Sequence, residues 1–139
     1  MIDEYVVADF MMMSEHMAYV EYPSVSSKIA VEPTSADVPA LYAKFITEEY
    51  KELSEAITSG NDTHIVNEAV DLIWVTLGYM ISKGYDIEGA WNALTRANRA
   101  KLQKDPSTGK LLRRPDGKIL KPADWKPADF SKYVPKPKS

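Results

Sequence analysis

The sequence has no cysteine. That removes disulfides and thiolate metal sites together, so any metal must be held by oxygen or by the two histidines, His16 and His64. Positive charge is scarce over most of the chain: residues 1–95 carry 16 acids against Lys28, Lys44, Lys51 and Lys83, a net charge of −12. No basic segment leads the N-terminus, and no uninterrupted apolar run reaches the roughly 18 residues needed to cross a bilayer. A cytoplasmic location without a membrane partner is therefore expected. Low-complexity sequence is also missing. With 45% hydrophobic and 27% charged residues, a chain of this size suits one globular domain over residues 1–139, with an irregular tail from about 122.

From Arg96 onward the charge reverses, with 13 lysines and arginines against Asp105, Asp116, Asp124 and Asp129, a net +9. An acidic centre for cations followed by a basic segment for phosphates accounts for both halves. The alternative is nucleic-acid binding through the basic tail.

Element signals are mostly helical. Residues 1 to about 19 are rich in methionine and lack Gly and Pro, which predicts a first helix. Pro23, Pro33 and Pro39 mark residues 21–39 as a loop. A second helix is expected from Thr34 or Ser35 as N-cap to Thr58, with Pro39 in its first turn and Gly60 beyond its end. Asn61, Asp62 and Thr63 offer caps for a third helix, closed by Gly84. Between Thr63 and Ser82 its only charges are Glu68 and Asp71, set among apolar residues, so it is expected to be buried on nearly all sides. A fourth helix, capped by Asp86, is predicted from Ile87 to about Gln103 with Trp91, Leu94 and Leu102 on its apolar side. Residues 110–113 and 118–121, separated by Pro115-Asp116-Gly117, suit a β-hairpin, and Trp125 and Phe130 suggest that part of the tail packs on the body. The fold class is thus all-α, a bundle of four to five helices with an antiparallel helix hairpin and a short irregular or hairpin tail.

The chemistry concentrates on that hairpin. Glu49 and Glu52 share one helix face, as do Glu68 and Asp71, because residues three apart are neighbours on a helix. A connection of about five residues makes the helices antiparallel, and the two pairs lie at matched distances from it. Crowded, partly desolvated carboxylates are costly unless compensated. With no Lys or Arg in the third helix, a hard divalent cation is the expected compensation, and Mg²⁺ at such a site is usually shared with substrate phosphates. Glu48 and Glu55 suit a solvated face.

These residues resemble the E-E-x-x-E and E-x-x-D motifs of the MazG-like, or phosphoribosyl-ATP pyrophosphohydrolase-like, all-α pyrophosphatases. They read Glu48-Glu49-Tyr50-Lys51-Glu52 and Glu68-Ala69-Val70-Asp71. Ala97-Asn98-Arg99-Ala100-Lys101-Leu102 is similar to the S-N-x-x-K-L of that family's last helix, and residues 114–121, with Arg114, Asp116, Gly117, Lys118 and Lys121, look like the R-x-D-G-K-x-x-K tail of one phage or bacterial branch. The resemblance implies hydrolysis of a nucleoside triphosphate between the α and β phosphates. It implies Mg²⁺, with Mn²⁺ as substitute, on Glu49, Glu52, Glu68 and Asp71, and Glu49 or Glu52 as the catalytic base. Asn98 and Lys101 would contact sugar and phosphate, with Lys118 and Lys121 as further phosphate partners. A third helix apolar on nearly all sides is hard for one chain to cover, so a homo-oligomer, dimer or tetramer, is expected, as in that family, and no stable nucleic-acid partner is expected. The branch suggests a purine deoxynucleotide, with dGTP ahead of dATP.

Tyr42 stands where the branch often has an arginine, and Ala97 where it has serine. The methionines of the first helix, Met11 to Met13 with Met17, suit either a wall for the base or core filling. His16 and His64 lack metal-ligand spacing and suit surface or capping roles, while Trp74, Tyr79 and Trp91 suit the core. The competing class is a non-catalytic nucleotide-binding module or helical scaffold.

Overall fold

The computed structural model describes residues 2–23 and 26–137. Among these the protein is all-α apart from one two-stranded ribbon. It forms two compact units, Met1–Ile87 with Tyr133–Ser139, and Glu88–Lys132.

In the first unit, α1 (Glu4–Met13) begins at Asp3, whose Oδ1 accepts the Tyr5 N–H at 2.8 Å. It ends six residues before the expected boundary. Glu15 takes a positive φ of 64° and reverses the chain, and β1 (Met17–Tyr19) then pairs antiparallel with β2 (Val31–Pro33), Ala18 opposite Glu32. Thr34 locks this turn by donating its hydroxyl to the Glu15 carbonyl at 2.7 Å. The partner strand lies within the segment expected as loop, so nothing local to residues 14–19 announces the ribbon; a short Met-Ala-Tyr run takes whichever state its neighbours offer.

Two long helices form the body of this unit. α2 (Val38–Ser59) starts with Pro39 in its first turn, and no side chain caps it; Ser35 Oγ instead accepts the Asp37 N–H at 3.1 Å. Gly60, at φ 73°, closes α2 in a left-handed conformation that glycine adopts without a Cβ clash. Asn61 at once caps α3 (Asp62–Ser82), its Oδ1 accepting the His64 N–H at 3.0 Å. Glu52 interacts with Glu68 near the turn, and the Tyr42 ring lies against Gly78 at the far end, so the helices run antiparallel.

The core occupies the open end of this hairpin. Val7, Ala8 and Met11 of α1, Met17 and Val31 of the ribbon, and Val38, Tyr42 and Ile81 form one buried cluster, with Phe45, Trp74, Leu77 and Tyr79 packed against it. Met11 and Met17 are core filling, whereas Met13 is 80% exposed. The turn end lacks such cover. Val66, Val70 and Ile73, one stripe of α3, are 62%, 54% and 42% exposed, which corrects the expectation of a helix buried on nearly all sides. α3 is long and apolar enough to span a bilayer by length and composition, but it carries two mid-helix carboxylates, which in this fold face α2.

In the second unit, α4 (Ile87–Arg99) stops four residues early, as the Lys101 and Leu102 N–H groups turn back to the carbonyls of Asn98 and Arg99. Only Ala93 of α4 is buried, and Trp91, expected in the core, is 68% exposed. The predicted hairpin is reduced to a turn: Arg114 N–H donates to the Lys118 carbonyl at 2.7 Å, Gly117 sits at φ 88°, and single bridges join Arg113 to Ile119 and Lys104 to Leu111. Trp125 does pack inward, its Nε1–H donating to the Ala97 carbonyl at 2.7 Å. The chain then closes through a 3₁₀ turn, Ser131–Tyr133.

Candidate functional site

The hairpin register brings carboxylates of both helices together. Glu49 of α2 and Glu68 and Asp71 of α3 each contribute an oxygen, all within 4.8 Å of one another. Glu52, one turn along α2, is exposed and interacts with Glu68. Glu48 and Glu55 lie on the outer face of α2, 3.9 and 4.0 Å from Lys44 and Lys51.

Glu68 is 6% exposed and Glu49 half-buried. Their Oε2 atoms are both buried and accept no hydrogen bond. A buried acceptor without a donor costs on the order of 1–3 kcal/mol, and more when charged. Two facing carboxylates relieve this by sharing a proton or a cation. The protein places its donors unevenly: Asn67 Nδ2 donates to Glu68 Oε1 at 3.0 Å and approaches Asp71 Oδ2 at 3.4 Å, and His64 Nε2 lies 3.0 Å from the same Glu68 Oε1. Hydrogen bonding from Asn67 accordingly leads the causes that hold the Glu68 carboxyl below its ordinary value. Glu49 has no such donors; burial first, then the charges of Glu52, Asp71 and Glu68, push it up to about 7. Glu52 is raised chiefly by its contact with Glu68. The site is therefore proton-hungry without a cation, and its all-oxygen, all-carboxylate donor set fits a hard divalent ion such as Mg²⁺.

The two histidines have more specific roles than their spacing suggested. His64 does sit in the capped first turn of α3, but its ring reaches Glu68, a contact that His four residues before a carboxylate on one helix would have signalled. His16 Nδ1 lies 3.0 Å from the Tyr42 hydroxyl and 3.3 Å from Ser14 Oγ, tying the β-ribbon to α2. Tyr42 itself is 3% exposed and stacks edge-on with His16 and Phe45. It is a core residue that replaces nothing at the acidic cluster.

In the second unit, Asn98, Lys101, Leu102, Arg114, Lys118, Ile119 and Lys121 line one cleft of about 590 Å³, within the range of small-molecule sites. The Lys101 and Lys121 ammonium groups lie 5.1 and 4.7 Å from the centre of the Trp125 ring, close enough for cation–π attraction. Four cations thus surround this cleft, and Arg114 is partly neutralised by Asp116 at 2.7 Å. Sequence reasoning had named Asn98 and the three lysines; it had not singled out Trp125 as the surface on which two of them rest.

Comparison with curated proteins finds no match. Residues 23–98, more than half of the chain, match the family described as phosphoribosyl-ATP pyrophosphohydrolase. That span includes α2, α3 and every carboxylate of the cluster. The chain belongs to the phosphoribosyl-ATP pyrophosphohydrolase family, and its activity is pyrophosphohydrolysis of a nucleotide.

Proposed function

We propose that the protein hydrolyses a (deoxy)nucleoside triphosphate at the α–β phosphate bond, yielding the monophosphate and pyrophosphate, with Mg²⁺ or Mn²⁺ held by Glu49, Glu52, Glu68 and Asp71. The observation that carries this reading is the pair of buried, donorless oxygens, Glu49 Oε2 and Glu68 Oε2, on facing helices.

Held by these carboxylates, a divalent cation would neutralise phosphate charge and make water a better nucleophile. A water oxygen bonds to phosphorus as the bridging oxygen leaves with pyrophosphate, and one water proton passes to a carboxylate of the protein. Glu52 is favoured as acceptor over Glu49, because it is the more exposed of the two and interacts with Glu68. Glu68 and Asp71 hold the charge opposite. Asn98, Lys101, Lys118 and Lys121 bind sugar and phosphates. The single-domain assignment, residues 1–139, and a homo-oligomer, dimer or tetramer, complete the proposal.

The preferred substrate is a purine deoxynucleotide, dGTP ahead of dATP. Sites that pair buried polar groups with a base edge discriminate by large factors when one partner is lost, so the preference is expected to be wide. Incubation with a panel of NTPs and dNTPs together with phosphoribosyl-ATP, in Mg²⁺ and in EDTA, followed by chromatography of the products, tests both levels. Pyrophosphate release only with Mg²⁺ supports the chemistry. A pyrimidine winning kcat/KM by tenfold or more overturns the base assignment alone, and phosphoribosyl-ATP winning by as much overturns the (deoxy)nucleoside triphosphate assignment while leaving the α–β chemistry.

A further inference from the structure

Within that metal-binding reading, on which this inference rests, the two oxygens of Glu68 are treated differently by the protein. Oε1 has two side-chain partners at 3.0 Å, Asn67 Nδ2 and His64 Nε2, while Oε2 is buried with none. The Asn67 amide also approaches Asp71 Oδ2 at 3.4 Å, so one residue spans both α3 carboxylates of the cluster. His64 is in turn set by the cap: Asn61 fixes its backbone N–H, which orients the first turn of α3 and brings the ring over Glu68 one turn on.

We infer that Asn67 and His64 are positioning residues for the cation: by occupying Glu68 Oε1 they orient the carboxylate so that Oε2 is the oxygen offered to the metal beside Glu49. Neither residue touches the ion or the substrate. Asn67 acts through Glu68 and Asp71, and His64 through Glu68 alone. Loss of such outer hydrogen bonds costs metal affinity about 10- to 100-fold, because the ligand then spends its time in orientations that do not bind. A residue that only stabilised α3 would lower the melting temperature and leave metal affinity where it was.

Mn²⁺ titration of the nucleotide-free, full-length protein, followed by electron paramagnetic resonance of free Mn²⁺, tests this. The variants are Asn67→Ala, His64→Ala and His64→Gln, with circular dichroism as the check on folding. Asn67→Ala and His64→Ala are expected to weaken Mn²⁺ binding by about tenfold or more, and His64→Gln, whose amide can donate to the same oxygen, to recover most of the His64→Ala loss. The Mg²⁺ concentration giving half-maximal hydrolysis should move in parallel. Wild-type Mn²⁺ affinity in folded Asn67→Ala and His64→Ala overturns the inference. If Asn67→Ala does not fold, equal affinity in the two His64 variants and wild type overturns it by itself. Absence of Mn²⁺ binding in the wild type is a different result, which removes the metal reading as a whole.

Discussion

Glu49 and Glu68 face each other across the hairpin with opposite protonation tendencies: Glu49 is pushed up to about 7, and Glu68 is held below its ordinary value by the hydrogen bond from Asn67. The pair is poised to hold one proton, on Glu49, when no cation is present.

This sets the pH dependence of the metal-free protein. A carboxyl whose folded value is raised binds its proton more tightly folded than unfolded, so its ionisation opposes folding. In EDTA, stability is expected to fall as pH rises from about 4.5 through about 7, the window between the ordinary and the raised Glu49 value. Glu68 contributes in the opposite sense, and only below 4.5. Saturating Mg²⁺ should flatten the decline. Melting temperature against pH, with and without Mg²⁺, checks this, and a metal-free protein that gains stability across that window would contradict it.

Glu52→Gln and Asp71→Asn keep shape and remove charge. Each is expected to reduce hydrolysis by roughly 10²-fold or more, the scale of losing one electrostatic contributor to a reacting centre, with the helical spectrum unchanged. Removing one of several crowded negative charges should raise the melting temperature of the metal-free protein. Parental hydrolysis rates in both variants would show that the site lies elsewhere.

Gly78→Ala would normally help a helix by about 1 kcal/mol. Here the added Cβ would lie within 2.6 Å of Tyr42 Cδ1, in a ring that is 3% exposed and braced by His16 and Phe45. Overpacking costs typically about 1–3 kcal/mol, so the variant is expected to be net destabilised. Chemical denaturation measures the difference, and a gain in stability would mean that α2 and α3 can separate freely.

The exposed stripe Val66, Val70 and Ile73 on α3 is expected to be covered by self-association, the usual remedy for a helix with an uncovered apolar face. Sedimentation should give a mass at least twice 15.6 kDa, and Val70→Glu, a charge in the middle of the stripe, should shift the protein toward monomer. A stable wild-type monomer at micromolar concentration would leave the stripe without that partner.

Much of this site was legible in the sequence because it is built from local periodicity. Three-residue spacing places Glu49 with Glu52 and Glu68 with Asp71, and Gly60-Asn61 encodes both the stop of α2 and the cap of α3, so the facing of the two acidic pairs follows from helix geometry and a short turn. Contacts between residues distant in sequence decided the rest. The end of α1 and the ribbon depend on pairing Met17–Tyr19 with a strand a dozen residues away. Tyr42, where the resembling branch often has arginine, is taken into the core because α3 offers a glycine opposite it and the turn before the ribbon offers His16. The apolar stripe of α3 and the exposed Trp91 followed from which neighbours each helix acquires, since an apolar residue records a preference for burial but not what will cover it. Within the acidic cluster, sequence spacing singled out four carboxylates, whereas only the folded geometry decided that Glu49, Glu68 and Asp71 converge with Glu52 outside them, and that Asn67 and His64 take one oxygen of Glu68 and leave the other without a donor.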